Sequence, residues 1–294
     1  MAIKVYYPNA IVFADAFDDI GVLERMSPDF GFEDVSIVPA GAVFPGFTGS
    51  RAKKPMLEDV TTQIKQVLER CGSAGDYIAG TFSNSAIKFQ WCQGDNLGTR
   101  KSFGSTTDHL VLRALYSILT WSQISAGNGE AQITFAIRPV SVGGNAPLVA
   151  LAEAINSVPV TETYKLGPVV LNTGSGAVTL CVDSWTISTN ITFKEKVCSG
   201  GKYYEFCAVE KSSPEATITL EDHSVSAGLL PDGAAITSVD FYLRKLVQGA
   251  IEVAGATTEH IRISATAGSV KPTQLGTIKM QLHGLTTNTA VALP

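Results

Sequence analysis

The residue types able to do chemistry are thinly spread along this chain of 294 residues. Its histidines, His109, His223, His260 and His283, stand far apart, and none has a partner three or four residues on, as a helical metal site needs. His260 and His283 fall on the polar phases of alternating segments, which predicts that both are solvated. The five cysteines, Cys71, Cys92, Cys181, Cys198 and Cys207, form no CxxC pair and match no zinc spacing. Their odd number points to free thiols in a reducing compartment. A Cys198–Cys207 bridge across a hairpin stays open as the exception. Asp15, Asp18 and Asp19 lie close together, but not at the spacing of the twelve-residue calcium loop, so a solvated turn is expected there.

Motifs that carry nucleotides or nucleophiles are missing. Gly200-Gly201-Lys202 lacks the spacing of a phosphate-binding loop, Gly174-Ser175-Gly176 opens no helix, and no GxSxG elbow occurs. The carboxylates are scattered, so no acid–base pair stands out. No catalytic, cofactor-binding or metal-ligating residue is nominated, and turnover is not expected. Trp91, Trp121, Tyr203 and Tyr204 could give a sugar-stacking patch, or simply pack in a core. With 22 basic and 27 acidic residues the net charge is -5, and no basic cluster exceeds Arg51 to Lys54. A protein that grips phosphates by releasing counterions needs a basic face, and none is visible.

The elements that must position these residues read as follows. Hydrophobic residues are 45% and charged residues 17%, which predicts an ordered, core-forming chain; the 27 glycines and many short alternating runs lean it towards β structure. The amino terminus, MAIKVYYPNA, starts as a strand and reaches a turn at Pro8-Asn9; it has no charged-then-apolar signal pattern, so folding in the cytoplasm is expected. No apolar run is long enough to span a bilayer as a helix. A short strand is expected at 34–38. Leu57, Val60, Ile64, Val67, Leu68 and Cys71 recur at helical spacing, with Thr61-Thr62 allowing a strand before the helix. Thr106-Thr107 caps a predicted helix whose apolar residues run from Leu110 to Trp121. Gly127-Asn128-Gly129 then turns the chain into an alternating strand from Ile133 to Ile137. A short helix is expected at 148–155 and a second capped helix at 238–253. Strict alternation marks a strand from Trp185 to Phe193, a hairpin turn at 198–202, and strands at 203–209, 217–220, 261–265 and 278–282. Residues 286–294 read as a polar tail.

The predicted helix–turn–strand unit at 106–138 returns at 237–267, with Thr106-Thr107 matching Thr237-Ser238 at an offset of 131 (237 − 106). Leu57-Glu58-Asp59 matches Leu220-Glu221-Asp222 at 163 (220 − 57), so an insertion of 32 (163 − 131) is expected in the first copy. Residues 157–163 read as an extended linker, which divides the chain into domains at 1–156 and 164–294. Residues 40–55 form a long Gly/Pro loop carrying Val43, Phe44 and Phe47. Apolar residues on such a loop mark a contact with another chain, and these three are the candidate subunit-contact residues.

On the strand at Trp185–Phe193, the two units at 106–138 and 237–267 and the Gly/Pro loop, the chain resembles the major tail proteins, or tail-tube proteins, of long-tailed bacteriophages. The resemblance implies a mainly β fold with flanking helices: two tandem β-sandwich or barrel domains, each with one packed helix. It implies a virion protein, made in the bacterial cytoplasm, that joins sheets side by side into rings. In the fused two-domain variant three chains supply six domains, a homotrimeric ring. The rings stack into a tube that conducts DNA without binding it, and other tail proteins meet the tube's ends. No cofactor and no membrane are implied. Another phage component (a capsid decoration or baseplate protein), a carbohydrate-binding β-sandwich module, and a hydrolase whose site is assembled by folding are the alternatives.

Overall fold

The computed structural model describes residues 4–13, 20–21, 27–29, 32–37, 47–52, 56–61, 63–71, 78–95, 99–104, 106–143, 145–158, 162–173, 176–197, 203–221, 236–247, 250–251, 258–274 and 276–294. The described chain is mainly β, with one helix among the described residues. Its first half supplies β1 (Val5–Phe13), β2 (Ile20–Gly21), β3 (Ser27–Asp29), the paired β4 (Phe32–Ile37) and β5 (Phe47–Ala52), β6 (Met56–Thr61), α1 (Ile64–Cys71), β7 (Ile78–Gly94), β8 (His109–Ala126), β9 (Gln132–Pro139) and β10 (Leu148–Glu153). The second supplies β11 (Thr163–Thr173), β12 (Gly176–Leu180), β13 (Val182–Ser188), the paired β14 (Thr192–Val197) and β15 (Tyr204–Lys211), β16 (Glu215–Leu220), β17 (Ile236–Val247), β18 (Ala250–Ile251), β19 (His260–Gln274) and β20 (Thr277–Val291).

One strand order occurs twice. The first half runs β2-β1-β7-β8-β9-β6-β3 and the second β12-β11-β17-β19-β20-β16-β13, and in each half a separate hairpin, β4–β5 or β14–β15, leaves between the last two strands of that order. Register repeats with topology. Tyr6 lies opposite Gln93 and Tyr164 opposite Lys245; Ile11 lies opposite Phe89 and Val169 opposite Phe241. A register slip interrupts β1 at Asn9 and β11 at Gly167-Pro168. Gly167 is required at its slip, because a Cβ there would stand 2.5 Å from the Tyr242 carbonyl oxygen. His109 Nδ1 accepts the Gln93 N–H at 2.9 Å, and His260 Nδ1 accepts the Lys245 N–H at 3.0 Å.

The repeat therefore has a different offset from the one expected. His109 and His260 are 151 apart (260 − 109), whereas an offset of 131 sets β8 against β17, which stands in the place of β7. Glu58 and Glu215 hold the same place, opposite Ala136 and Gln281. From Glu58 to Gln93 is 35 residues (93 − 58) and from Glu215 to Lys245 is 30 (245 − 215), so the first copy is longer by five, not 32, in this span.

Two predicted helices are strands. Residues Leu110–Trp121 lie in β8 and Ser238–Val247 in β17, because each strand is covered on both faces. Leu112 and Ala114 enter the main core, while Val111, just before Leu112 and on the opposite face, packs with Cys92 and Ile155. Phe241 and Leu243 enter the main core, while Tyr242 packs with Val170 and Leu293. A strand buried on both sides loses its alternation and presents the wide apolar arc of a helix. Residues 148–153 are likewise strand, on β8. The expected polar tail is not a tail: Thr286, Thr287 and Asn288 pair with β19, and Leu293 is buried. Pro8-Asn9 makes a bulge within β1 in place of a turn. The strand expected at Trp185–Phe193 is broken at Asn190, whose φ is 49°, so β13 and β14 belong to different sheets. The switch from strand to helix near Thr62 is found: β6 ends at Thr61, whose Oγ1 accepts the Gln63 N–H at 3.1 Å just before α1.

The sheet continues from one half into the other. β8 carries β7 and then β13 along one edge, and β10 and then β9 along the other. The second half with the tip of the β8–β9 hairpin closes into a barrel, β11-β17-β19-β20-β16-β13-β8-β9, and the circuit returns to β11 through the Ala131 N–H, which donates to the Tyr164 carbonyl at 2.7 Å. Trp185, Ile187, Phe241, Ile261 and Ile263 fill its interior, with the Trp185 and Phe241 rings 5.2 Å apart. Helix α1 packs against β7, β8, β9 and β20, and the Arg70 guanidinium lies 4.0 Å over the Phe13 ring.

Candidate functional site

Two places join the parts of the molecule, and both are built from polar groups. The first surrounds Glu162, just before β11. Lys65 of α1 reaches its carboxylate at 3.2 Å and Lys245 of β17 at 3.1 Å; Lys245 also meets Glu259 at 2.8 Å. The Tyr164 hydroxyl donates to Glu162 at 3.4 Å, and the Thr289 hydroxyl of β20 donates to Glu69 of α1 at 3.0 Å. Burial works to raise the Glu162 carboxyl, but the hydrogen bonds and charges of Lys245 and Lys65 outweigh it and hold it below the ordinary carboxylate range. Lys245 is raised, first by its bond to Glu259 and then, against its burial, by Glu162. Burial, then the negative charge of Glu162, pushes the Tyr164 phenol well above its ordinary value. An ionised acceptor saturated by two ammonium groups is a poor base, and a phenol so raised is a poor acid at neutral pH. The cluster's chemistry is that of a clasp tying α1 and β20 to β11 and β17.

The second place is the root of the β14–β15 arm. Thr189, fully buried, donates its N–H to the Ser122 carbonyl at 2.9 Å and its hydroxyl to the Trp121 carbonyl at 3.0 Å. The returning leg ties to the same residue: the Ser212 hydroxyl and the Ser213 N–H both donate to the Thr189 carbonyl. Ser122 sits at the register slip between β8 and β9, so the arm is rooted where the central strand kinks. The Arg138 guanidinium lies 3.7 Å over the Phe193 ring and holds the start of the arm against β9.

Among the described residues no group of three or more potential metal ligands stands together, and no helix is long and apolar enough to cross a membrane. His260 is buried and bonded to backbone, not solvated as its polar phase suggested; His283 is exposed, and His223 lies outside the described residues. His109 is also buried, with Nε2 against the Phe103 carbonyl at 3.1 Å. Trp91 and Trp121 pack in the core, which removes two of the four aromatics from any sugar-binding patch; Tyr203 is half-buried. Cys71 is buried, Cys92 is a buried free thiol and Cys181 is an exposed one. Cys207 lies opposite Glu195 in the arm, while Cys198 lies outside the described residues. Asp15, Asp18, Asp19, Val43 and Phe44 also lie outside them. Phe47 begins β5, opposite Ile37, so the expected loop contains a strand.

Neither the Glu162 clasp nor the arm root had been singled out in the sequence. Each draws on residues far apart in the chain, and the only local signal was Asn190, a residue type that tolerates positive φ, at the end of an alternating run. No family model matches the chain, and no curated protein matches it.

Proposed function

We propose that the protein is a virion structural subunit that assembles with copies of itself, as the tail-tube protein of a long-tailed bacteriophage does. The reading rests on one observation above the rest. A single strand order, with one hairpin arm leaving at the same place, is used twice in one chain. Such duplication makes the chain two units of a repeating wall, and three chains then give six units, the homotrimeric ring expected from the resemblance. Rings would stack into a tube, with the arms β4–β5 and β14–β15 as the parts able to reach a neighbouring ring. A net charge of -5 suits a channel through which DNA slides without being held. The polar clusters described above work as joints, which agrees with a role by contact and not by turnover.

Negative-stain electron microscopy of the purified protein across a concentration series tests this. Rings or stacked tubes with a central channel, showing threefold averages with six lobes, are expected. Dispersed small particles at every concentration would overturn the reading and favour a binding module.

A further inference from the structure

We propose that copies of this chain join head to tail by repeating, between molecules, the strand pairing that already joins the two halves of one molecule: β3 of one copy adds, in the next, to the edge of β19 that has no strand beside it among the described residues. The inference rests on the self-assembly reading and names its joint.

Within the chain the joint is β13 on β8. Gln123 of β8 stands between Thr134 of β9 on one side and Ser188 of β13 on the other. The counterpart of Gln123 is found through the neighbouring strand. Ile133, Phe135 and Ile137 of β9 and Ile278, Met280 and Leu282 of β20 are buried at the same places, 145 apart (278 − 133), so Thr134 corresponds to Lys279. Lys279 lies opposite Lys271 of β19, which is therefore the counterpart of Gln123. On its other side Lys271 has no strand among the described residues: β17 covers β19 only from Ile261 to Thr266, and residues 267–274 continue past it.

The same steps identify the strand that fits. Ser188 lies between Glu215 of β16 and Gln123. The counterpart of Glu215 is Glu58, and opposite Glu58 lies Ser27 of β3. β3 pairs with β6 and, among the described residues, with nothing beyond it. One molecule thus holds both halves of a joint it makes once internally. Unpaired strand edges attract pairing, and here the matching donor is a second copy. The joint links unlike surfaces, so each added copy renews both edges, and the series ends only by closing into a ring. Closure would also complete the first-half sheet, which lacks, among the described residues, the hairpin tip that the second-half barrel receives from β8–β9.

An engineered cross-link reads the register directly. Directly opposed residues of antiparallel strands have Cα atoms about 4.5–5.5 Å apart, within disulfide reach. Ser27→Cys and Lys271→Cys are made in separate chains carrying tags of different size, then mixed under assembly conditions and oxidised. A mixed-size disulfide dimer is expected, with a yield comparable to the in-chain bridge formed by Gln123→Cys with Ser188→Cys, and absent when either variant is oxidised alone. The mixture is also imaged. Rings or tubes without the mixed dimer would overturn this joint and leave self-assembly standing. Dispersed particles without it would overturn both.

Discussion

Glu162→Gln removes one negative charge from the clasp and leaves its shape. Glu162 and Lys245 are 18% and 14% exposed at the side chain, and Lys65 is 28% exposed, so the pairs are neither surface pairs nor fully buried ones. Exposed pairs contribute roughly 0.2–1 kcal/mol, and breaking a buried pair costs about 3–5 kcal/mol. The amide keeps one acceptor, and Lys245 keeps Glu259, so no ammonium is stranded. The expected loss is about 1–2 kcal/mol of unfolding free energy at pH 7, between those limits. The pH dependence follows from the direction of each shift. A carboxyl depressed in the folded state adds stability above its unfolded pKa of about 4.3, and that stability is lost as pH falls through the folded value. A raised ammonium adds stability below its unfolded pKa of about 10.4, lost as pH rises through the folded value. The gap between wild type and variant should be level from pH 6 to 8 and close on acidification. Urea unfolding followed by tryptophan fluorescence, repeated from pH 3 to 8, measures it. Equal stabilities at pH 7, or a gap that persists unchanged at pH 3, would refute the assignment of Glu162 as an ionised clasp.

Thr189→Val keeps the bulk at the arm root but removes the hydroxyl that bonds the Trp121 carbonyl; a loss of about 1–2 kcal/mol is expected in the same urea assay, with faster proteolysis in the arm. Among Cys71, Cys92 and Cys181, a thiol reagent should modify Cys181 promptly in the native protein and the two buried thiols only on unfolding, as read by peptide mass spectrometry. Burial raises the Cys92 thiol, which slows its reaction further, and prompt labelling there would contradict its packing.

What could be read from the sequence depended on how many faces of an element are buried. Trp185–Ile187 and Ile278–Leu282 each bury one face, and Ile133–Ile137 departs from that only at the small Ala136, so their alternation was plain. β8 and β17 bury both, so Leu110–Leu115 and Phe241–Leu246 offered apolar residues in every phase, and a threonine ahead of each completed a false helix signature. The Thr- and Asn-rich stretch 286–289 looked like a tail because its partners lie in β19, a contact no local pattern announces. A repeat was expected, but the units matched in the sequence, 106–138 and 237–267, are β8–β9 and β17–β19, which hold different places in the repeated strand order. The strands have diverged in sequence while keeping register, and only scattered pairs such as Tyr6 and Tyr164, Glu58 and Glu215, Phe89 and Phe241, or His109 and His260 mark equal places by residue type. The joints were the least legible, since Lys65, Glu162 and Lys245, or Ser122 and Thr189, become neighbours only through the fold.

The circuit that closes the second barrel has a consequence for dividing the chain. A cut between residues 156 and 163 follows the linker read from the sequence, yet it separates β8 and β9 from the strands they complete. The carboxyl-terminal fragment would lack two staves and present raw β11 and β13 edges to any chain nearby. Produced alone it should be prone to aggregate. Produced beside the amino-terminal fragment, it should recover a complete barrel by complementation across the nick, held by the same backbone bonds that now run from Ala131 to Tyr164 and from Thr189 to Ser122.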